Sequence, residues 1–331
     1  VTRSAKFVYG AVAGCAVTAY LGALWNGYAL DDVNLIALNP LLRGWSGVWR
    51  AFGESYWPTA LGGFMYRPLT VASFVVDARV DGVRWLHAVN VLWHVGASVA
   101  VAWLADRWTT STRAALLAGV VFAVHPVHVE AVANLVGRTE LMAAVLVVLS
   151  TYLALEHDRL WLSLLALAAA LLSKENAAIA PLLIAWGWLL GIGGRPGARR
   201  RWAYVAGWTA VGVAYTVARW GALHGSAGQV NLAPVFLGAS PADVRLTAVA
   251  ALSDVLRLLA FPLVLRADYS PAERTLVSSA LDARFLAGAL CALAWAGLVV
   301  VAWRRGRKLE AFGLGWVAIA LLPVANLLFP T

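Results

Sequence analysis

The chain has 331 residues, of which 61% are hydrophobic and only 13% charged, and it carries a formal net charge of +9. A soluble domain of this size carries about twice that share of charged residues, so a water-soluble globular fold is excluded. Apolar runs of bilayer length recur along the sequence, which predicts an all-α polytopic membrane protein.

The predicted spans are roughly 7–27, 85–105, 114–127, 139–155, 161–173, 176–192, 202–220, 285–303 and 311–328, about nine in all. The first is too long and too polar-ended to read as a cleaved signal and is taken as retained. Several fall short of the ~20 residues of an upright span and call for flanking residues that reach the interface. With the N-terminus inside, segments 1–6, 106–113, 156–160, 193–201 and 304–310 hold 13 of the 26 basic residues and 4 of the 17 acids. The entire net charge then lies on the cytoplasmic side. It reads as a topology signal and excludes a nucleic-acid footprint. Residues 244–265 are apolar, but a further crossing there would break the parity, and Arg245, Asp254 and Arg257 lie within it. This stretch is expected to be a re-entrant or interfacial helix on the outer side.

Two long outer loops remain, Asp31 to Arg84 and Gly221 to Arg284, each mixing Trp, Tyr, Pro and charge with apolar residues. That composition fits amphipathic helices with aromatic anchors such as Trp45, Trp49, Tyr56, Trp57 and Tyr66. Cys15 and Cys291 both fall inside apolar runs and read as buried thiols. There is no tandem repeat and no separate soluble domain, so 1–331 is expected to be one transmembrane domain.

Asp31 and Asp32 follow the first apolar run directly. Adjacent carboxylates repel, and an ionised acid beside hydrocarbon is costly. They are the first candidates for a general base at the membrane surface, against the plainer reading of a solvated helix end. In the second span His87, Asn90 and His94 are spaced by three and four, which puts them on one helix face. They serve either a wet site or interhelical hydrogen bonding. Further on, His125, His128 and Glu130 surround Pro126, a residue that breaks a helix. With Asp32 they are weak candidates for a divalent metal site, the alternative being a hydrogen-bonded support for other groups. Arg67, Arg138 and Lys174 are candidate phosphate ligands, Arg67 and Arg138 through the fork geometry of guanidinium. Arg138 has Glu130 and Glu140 as candidate partners, and Glu175, Asp268 and Tyr269 complete the set of supporting polar residues. No Gly-rich phosphate cradle, nucleophile elbow or Cys-x-x-Cys is present.

These segments occur in a recognisable order. It comprises Asp31-Asp32, Tyr-Arg-Pro-Leu-Thr at 66–70, His-x-x-Asn-x-x-x-His at 87–94, Val-His-Pro-Val-His-x-Glu at 124–130, Gly-Arg-x-Glu at 137–140, Ser-Lys-Glu at 173–175 and Ala-Asp-Tyr-Ser at 267–270. The chain resembles the membrane portion of the transmembrane and tetratricopeptide-repeat O-mannosyltransferases and their bacterial relatives, which are similar to GT-C glycosyltransferases. The resemblance implies a GT-C-like bundle and an inverting transfer of mannose or another hexose from a polyprenyl-phosphate donor. The acceptor would be a hydroxyl, on protein Ser/Thr or a glycan, at the non-cytoplasmic face of a bacterial inner membrane. The acid pair after the first helix would be catalytic, with Asp31 as base and Asp32 orienting it or an ion. The family's further outer motif and its tetratricopeptide repeats do not occur in this sequence, so a C-terminally truncated domain is expected. A lipid-linked sugar flippase and a noncatalytic membrane scaffold are the alternatives from other classes.

Overall fold

The computed structural model describes residues 3–58, 61–80, 82–194, 196–225, 233–266 and 274–327. In chain order the helices are α1 (Arg3–Tyr20), α2 (Gly47–Arg50), α3 (Pro68–Asp77), α4 (Val83–Thr109), α5 (Thr112–Val124), α6 (Val129–Ala133) and α7 (Arg138–Leu155). They continue with α8 (Leu160–Ser173), α9 (Ala180–Leu190), α10 (Ala198–Ala222), α11 (Pro241–Ala260), α12 (Ala283–Arg304) and α13 (Lys308–Leu321). No strand occurs among the described residues.

Among the described residues four stretches are long and apolar enough to cross a bilayer, namely Ala5–Trp25, Val83–Thr109, Leu135–Leu155 and Ala283–Arg304. A fifth is Thr112–Val124 with Pro126–Ala133, a pair bent by 47°. The nine spans read from hydropathy are not confirmed by this count. The difference is one of length and dilution. Helices α8 and α13 have 14 residues each, or about 21 Å at 1.5 Å per residue, short of the ~30 Å hydrocarbon layer. Helix α10 has 25 residues, but Gly, Thr, Tyr and four arginines dilute its apolar character.

The chain divides into two compact units, the first being Val1–Ile184 with Gly193–Gln229 and the second Ala185–Ile192 with Val230–Thr331. In the first, α1, α4 and α5 pack on one another, α7 packs on α4 and α8, and α10 packs on α8. Close approach of the first three depends on Gly119, where an added Cβ would lie 2.6 Å from Val12 Cγ2 and 2.7 Å from Ala102 Cβ. Small residues at a crossing are how apolar helices gain contact where lipid removes the hydrophobic drive.

Local chemistry sets the breaks. Helix α4 ends at Thr110, in the left-handed region with φ +51°, and Ser111 caps α5 by accepting the Ala114 N–H at 3.3 Å. Pro126 stops α5, and His125 Nδ1 accepts the Val127 N–H at 3.3 Å to start the next turn.

The segment between α1 and α4 is built of short turns and α3, with a core of its own. Leu35, Ile36, Leu41, Leu42, Tyr56, Val71, Phe74, Val75, Leu86 and Leu135 are buried together. Each large apolar side chain buried there contributes about 1.5–3 kcal/mol, so this segment is a packed part of the first unit. The second unit is a layer of α11 on α12 and α12 on α13. Gly288 allows α12 to reach the α11 backbone, since a Cβ there would lie 1.9 Å from Val249 O.

Candidate active site

Beyond α1 the chain makes a tight turn, Leu21–Trp25, and then runs to Leu30, which has φ +48°. A non-glycine residue in that region is strained and persists only where its surroundings impose it. Here the constraint comes from Asp32. Its Oδ1 accepts the Val136 N–H at 2.9 Å, and its Oδ2 accepts the N–H groups of Leu135 at 3.4 Å and Ala29 at 3.2 Å. The side chain is fully buried. Burial pushes the Asp32 carboxyl above its ordinary value, and the three amides, with His87, oppose that shift. Asp32 is thus a clasp between the first outer segment and the start of α7. Asp31 differs in every respect. It is exposed and makes no hydrogen bond or ion pair among the described residues.

His87, Asn90 and His94 are all fully buried along one face of α4. His87 Nε2 lies 3.4 Å from Gly27 O, in the segment leading to the acid pair. Asn90 donates to Asn134 O at 3.0 Å and Leu135 O at 3.2 Å, and its Oδ1 accepts from Arg138 Nε at 2.8 Å. His94 Nε2 lies 2.9 Å from Ala123 O, with the Tyr20 ring edge-on at 4.8 Å. The stripe therefore braces the connections that carry Asp32's amides.

Arg138 is the largest fully buried side chain among the described residues. Nη1 is ion-paired with Asp77 and 3.3 Å from Ser73 Oγ, Nη2 donates to Leu86 O at 3.0 Å, and the guanidinium lies 4.3 Å from the Phe74 ring centroid. With Nε on Asn90, all three nitrogens are engaged by the protein. Its acidic partner is Asp77, in place of the Glu130 or Glu140 expected from sequence; Glu130 is exposed and Glu140 pairs with Lys174. No local pattern marks Asp77, which closes an apolar helix and lies 61 positions from Arg138. The one available signal was Ser73, four residues earlier on the same face.

Arg67 and Glu175 form a two-point ion pair, Nε to Oε2 at 2.9 Å and Nη2 to Oε1 at 2.5 Å. Below them Thr70 Oγ1 donates to Ser173 O at 3.1 Å, so α3 is tied to the end of α8. Tyr215 on α10 donates to Tyr66 O at 3.2 Å. The Tyr56 ring lies 5.1 Å from the Arg67 guanidinium carbon.

The metal candidates do not converge. The His125 and His128 rings are 6.1 Å apart, Asp32 is taken up by backbone amides, and no group of three or more His, Cys, Asp or Glu side chains among the described residues is placed to hold a metal ion. Asp268 and Tyr269 lie outside the described residues. The structure thus brings together Asp32, His87, Asn90 and Arg138 in one network, and Arg67, Glu175, Lys174 and Glu140 in paired ions at the ends of α3, α7 and α8.

Comparison with known proteins bears on these residues directly. Residues 75–220 match the family described as dolichyl-phosphate-mannose-protein mannosyltransferase. The chain resembles the protein O-mannosyl-transferases. It is 38% identical over 189 residues to Protein O-mannosyl-transferase Tmtc2 of Drosophila melanogaster, covering 51% of this chain and 20% of that protein. It is 36% identical over 197 residues to Tmtc1 of the same organism (55% and 23%) and 33% identical over 147 residues to TMTC1 of Mus musculus (42% and 16%). The chain thus spans about a fifth of the length of these relatives. The family match takes in Asp77, His87, Asn90, Arg138 and Glu175, whereas Asp31, Asp32, Tyr56 and Arg67 precede it. No solved structure matches the chain.

Proposed function

We propose that the first unit carries an inverting glycosyltransferase site. It moves mannose, or another hexose, from a polyprenyl-phosphate donor to a hydroxyl acceptor on protein Ser/Thr, at the non-cytoplasmic membrane face. The reading rests on the asymmetry of the acid pair. Asp32 is buried and clasped by three amides, while beside it Asp31 is exposed with no partner among the described residues. One carboxylate is fixed so that its neighbour is presented. The relatives' names as O-mannosyl-transferases and the polytopic character of the chain support the same reading. The concentration of basic residues in alternate connections supports an outward-facing site.

In the reaction the acceptor hydroxyl attacks the anomeric carbon of the sugar and its proton passes to Asp31. The bond from that carbon to the lipid phosphate breaks, and its electron pair leaves with the phosphate. Proton removal by a positioned carboxylate contributes about 10²–10⁴ in rate. The phosphate is a good leaving group and needs cationic stabilisation more than protonation. Arg67 and Lys174 supply it. Arg138 has all three of its nitrogens on protein partners and acts as a strut that holds the site together.

The test is transfer of labelled sugar to a Ser/Thr peptide in membranes, with polyprenyl-phosphate mannose and a nucleotide-linked mannose compared as donors. Transfer from the lipid donor alone is the expected result. Transfer from the nucleotide donor alone would sink the assignment.

A further inference from the structure

Tyr56 is 4% exposed, and its hydroxyl finds no acceptor among the described residues, its one polar neighbour being the Arg67 guanidinium, which can only donate. Folds rarely leave such a group unsatisfied, and those that do so invite an explanation. The neighbouring tyrosines are satisfied. Tyr66 donates to Phe52 O at 2.9 Å, Tyr215 to Tyr66 O at 3.2 Å, and Tyr20 to His125 O at 3.1 Å. Tyr56 is not a loosely placed residue either. Its N–H donates to Met65 O at 2.9 Å and that of Trp57 to Phe64 O at 3.2 Å, and its ring packs in the cluster that includes Leu35, Ile36 and Leu135. That cluster flanks the Asp32 clasp. On the other side the Arg67 guanidinium carbon lies 5.1 Å from the ring centroid. Arg67 spends Nε and Nη2 on Glu175, which leaves Nη1 with no carboxylate or carbonyl acceptor among the described residues and only the Tyr56 hydroxyl beside the group.

Resting on the glycosyltransferase reading, we infer that the Tyr56 hydroxyl and Arg67 Nη1 form a two-donor site for an anionic phosphate oxygen, the one that leaves with the lipid. A hydroxyl whose proton lacks a protein acceptor, set beside a cationic guanidinium, suits an oxyanion and not a neutral sugar hydroxyl. Burial raises the Tyr56 hydroxyl far above the ordinary phenol value against the opposing charge of Arg67, so it keeps its proton at neutral pH and serves as a donor. Nothing in the residue spacing marks Tyr56, which reads in sequence as one aromatic anchor among several.

The experiment measures binding of polyprenyl phosphate, polyprenol and inorganic phosphate to the protein in nanodiscs. The unaltered protein is expected to prefer polyprenyl phosphate over polyprenol. Tyr56→Phe removes one hydroxyl and no packing, and should reduce that preference about 10- to 100-fold at an unchanged melting temperature. Full preference retained by Tyr56→Phe overturns the Tyr56 assignment and leaves the glycosyltransferase reading standing. No preference in the unaltered protein removes the lipid-phosphate reading and the Tyr56 assignment together. Competition by inorganic phosphate that Tyr56→Phe also weakens supports the assignment, because it shows that the phosphate group is what the two donors recognise. A measurement free of any folding defect is fluorine NMR of 3-fluorotyrosine incorporated at position 56. Its resonance should shift on adding polyprenyl phosphate and stay put with polyprenol, and the same resonance in both additions refutes the contact.

Discussion

Arg138→Met separates a strut from a ligand. The side chain is fully buried, and its charge is balanced by Asp77, whose side chain is 12% exposed. Methionine keeps much of the volume but leaves the Asp77 carboxylate without its cation, and Asn90 Oδ1 and Leu86 O without a donor. Breaking a buried pair from one side costs about 3–5 kcal/mol. At ~2–4 °C per kcal/mol for a unit of this size, the melting temperature in detergent should fall by about 6–20 °C. Replacing both partners, Arg138→Met with Asp77→Leu, removes the stranded charge and should recover at least half of that loss. The assay is thermal unfolding of the three variants beside donor binding. An Arg138→Met protein that melts normally but no longer binds the lipid donor would refute the strut and restore Arg138 as a phosphate ligand.

Two further outcomes follow from the same geometry. Asp32 has a raised folded-state value relative to the ordinary 3.8. Its contribution to stability is therefore fullest below that value and is lost as pH rises through the folded value. Asp32→Asn should flatten this part of a melting-temperature profile taken from pH 4 upward, and an unchanged slope would contradict the buried clasp. Gly119→Leu should force α1 and α4 away from α5, because Val12 and Ala102 occupy the space a side chain needs. The overpacking should cost about 1–3 kcal/mol in detergent melts, with no loss marking a looser crossing than described.

Much of the helical architecture was legible in the chain itself. Spacings of three and four suffice to set His87, Asn90 and His94 on one face, and Pro126 suffices to mark the break after α5. Hydropathy shows that a stretch is apolar and not that one helix long enough to cross a bilayer runs through it. Leu160–Ser173 and Glu175–Leu190, which fall on two of the predicted spans, are short apolar helices. The pairing of charges was also hidden. Arg138 finds Asp77 through the packing of α3 against α7, which no local pattern encodes. The unequal roles of Asp31 and Asp32 depend on amides at 135 and 136, more than a hundred positions away. Residue spacing shows only two adjacent acids there, and their division into base and orienting group comes from the family resemblance.

The most direct test of the account is sugar transfer from polyprenyl-phosphate mannose by Asp31→Asn, measured beside its donor binding and melting temperature. The account predicts transfer reduced by about 10²–10⁴ with binding and melting unchanged, because Asp31 makes no contact that holds the fold. Transfer at the unaltered rate would contradict it and remove Asp31 as the base.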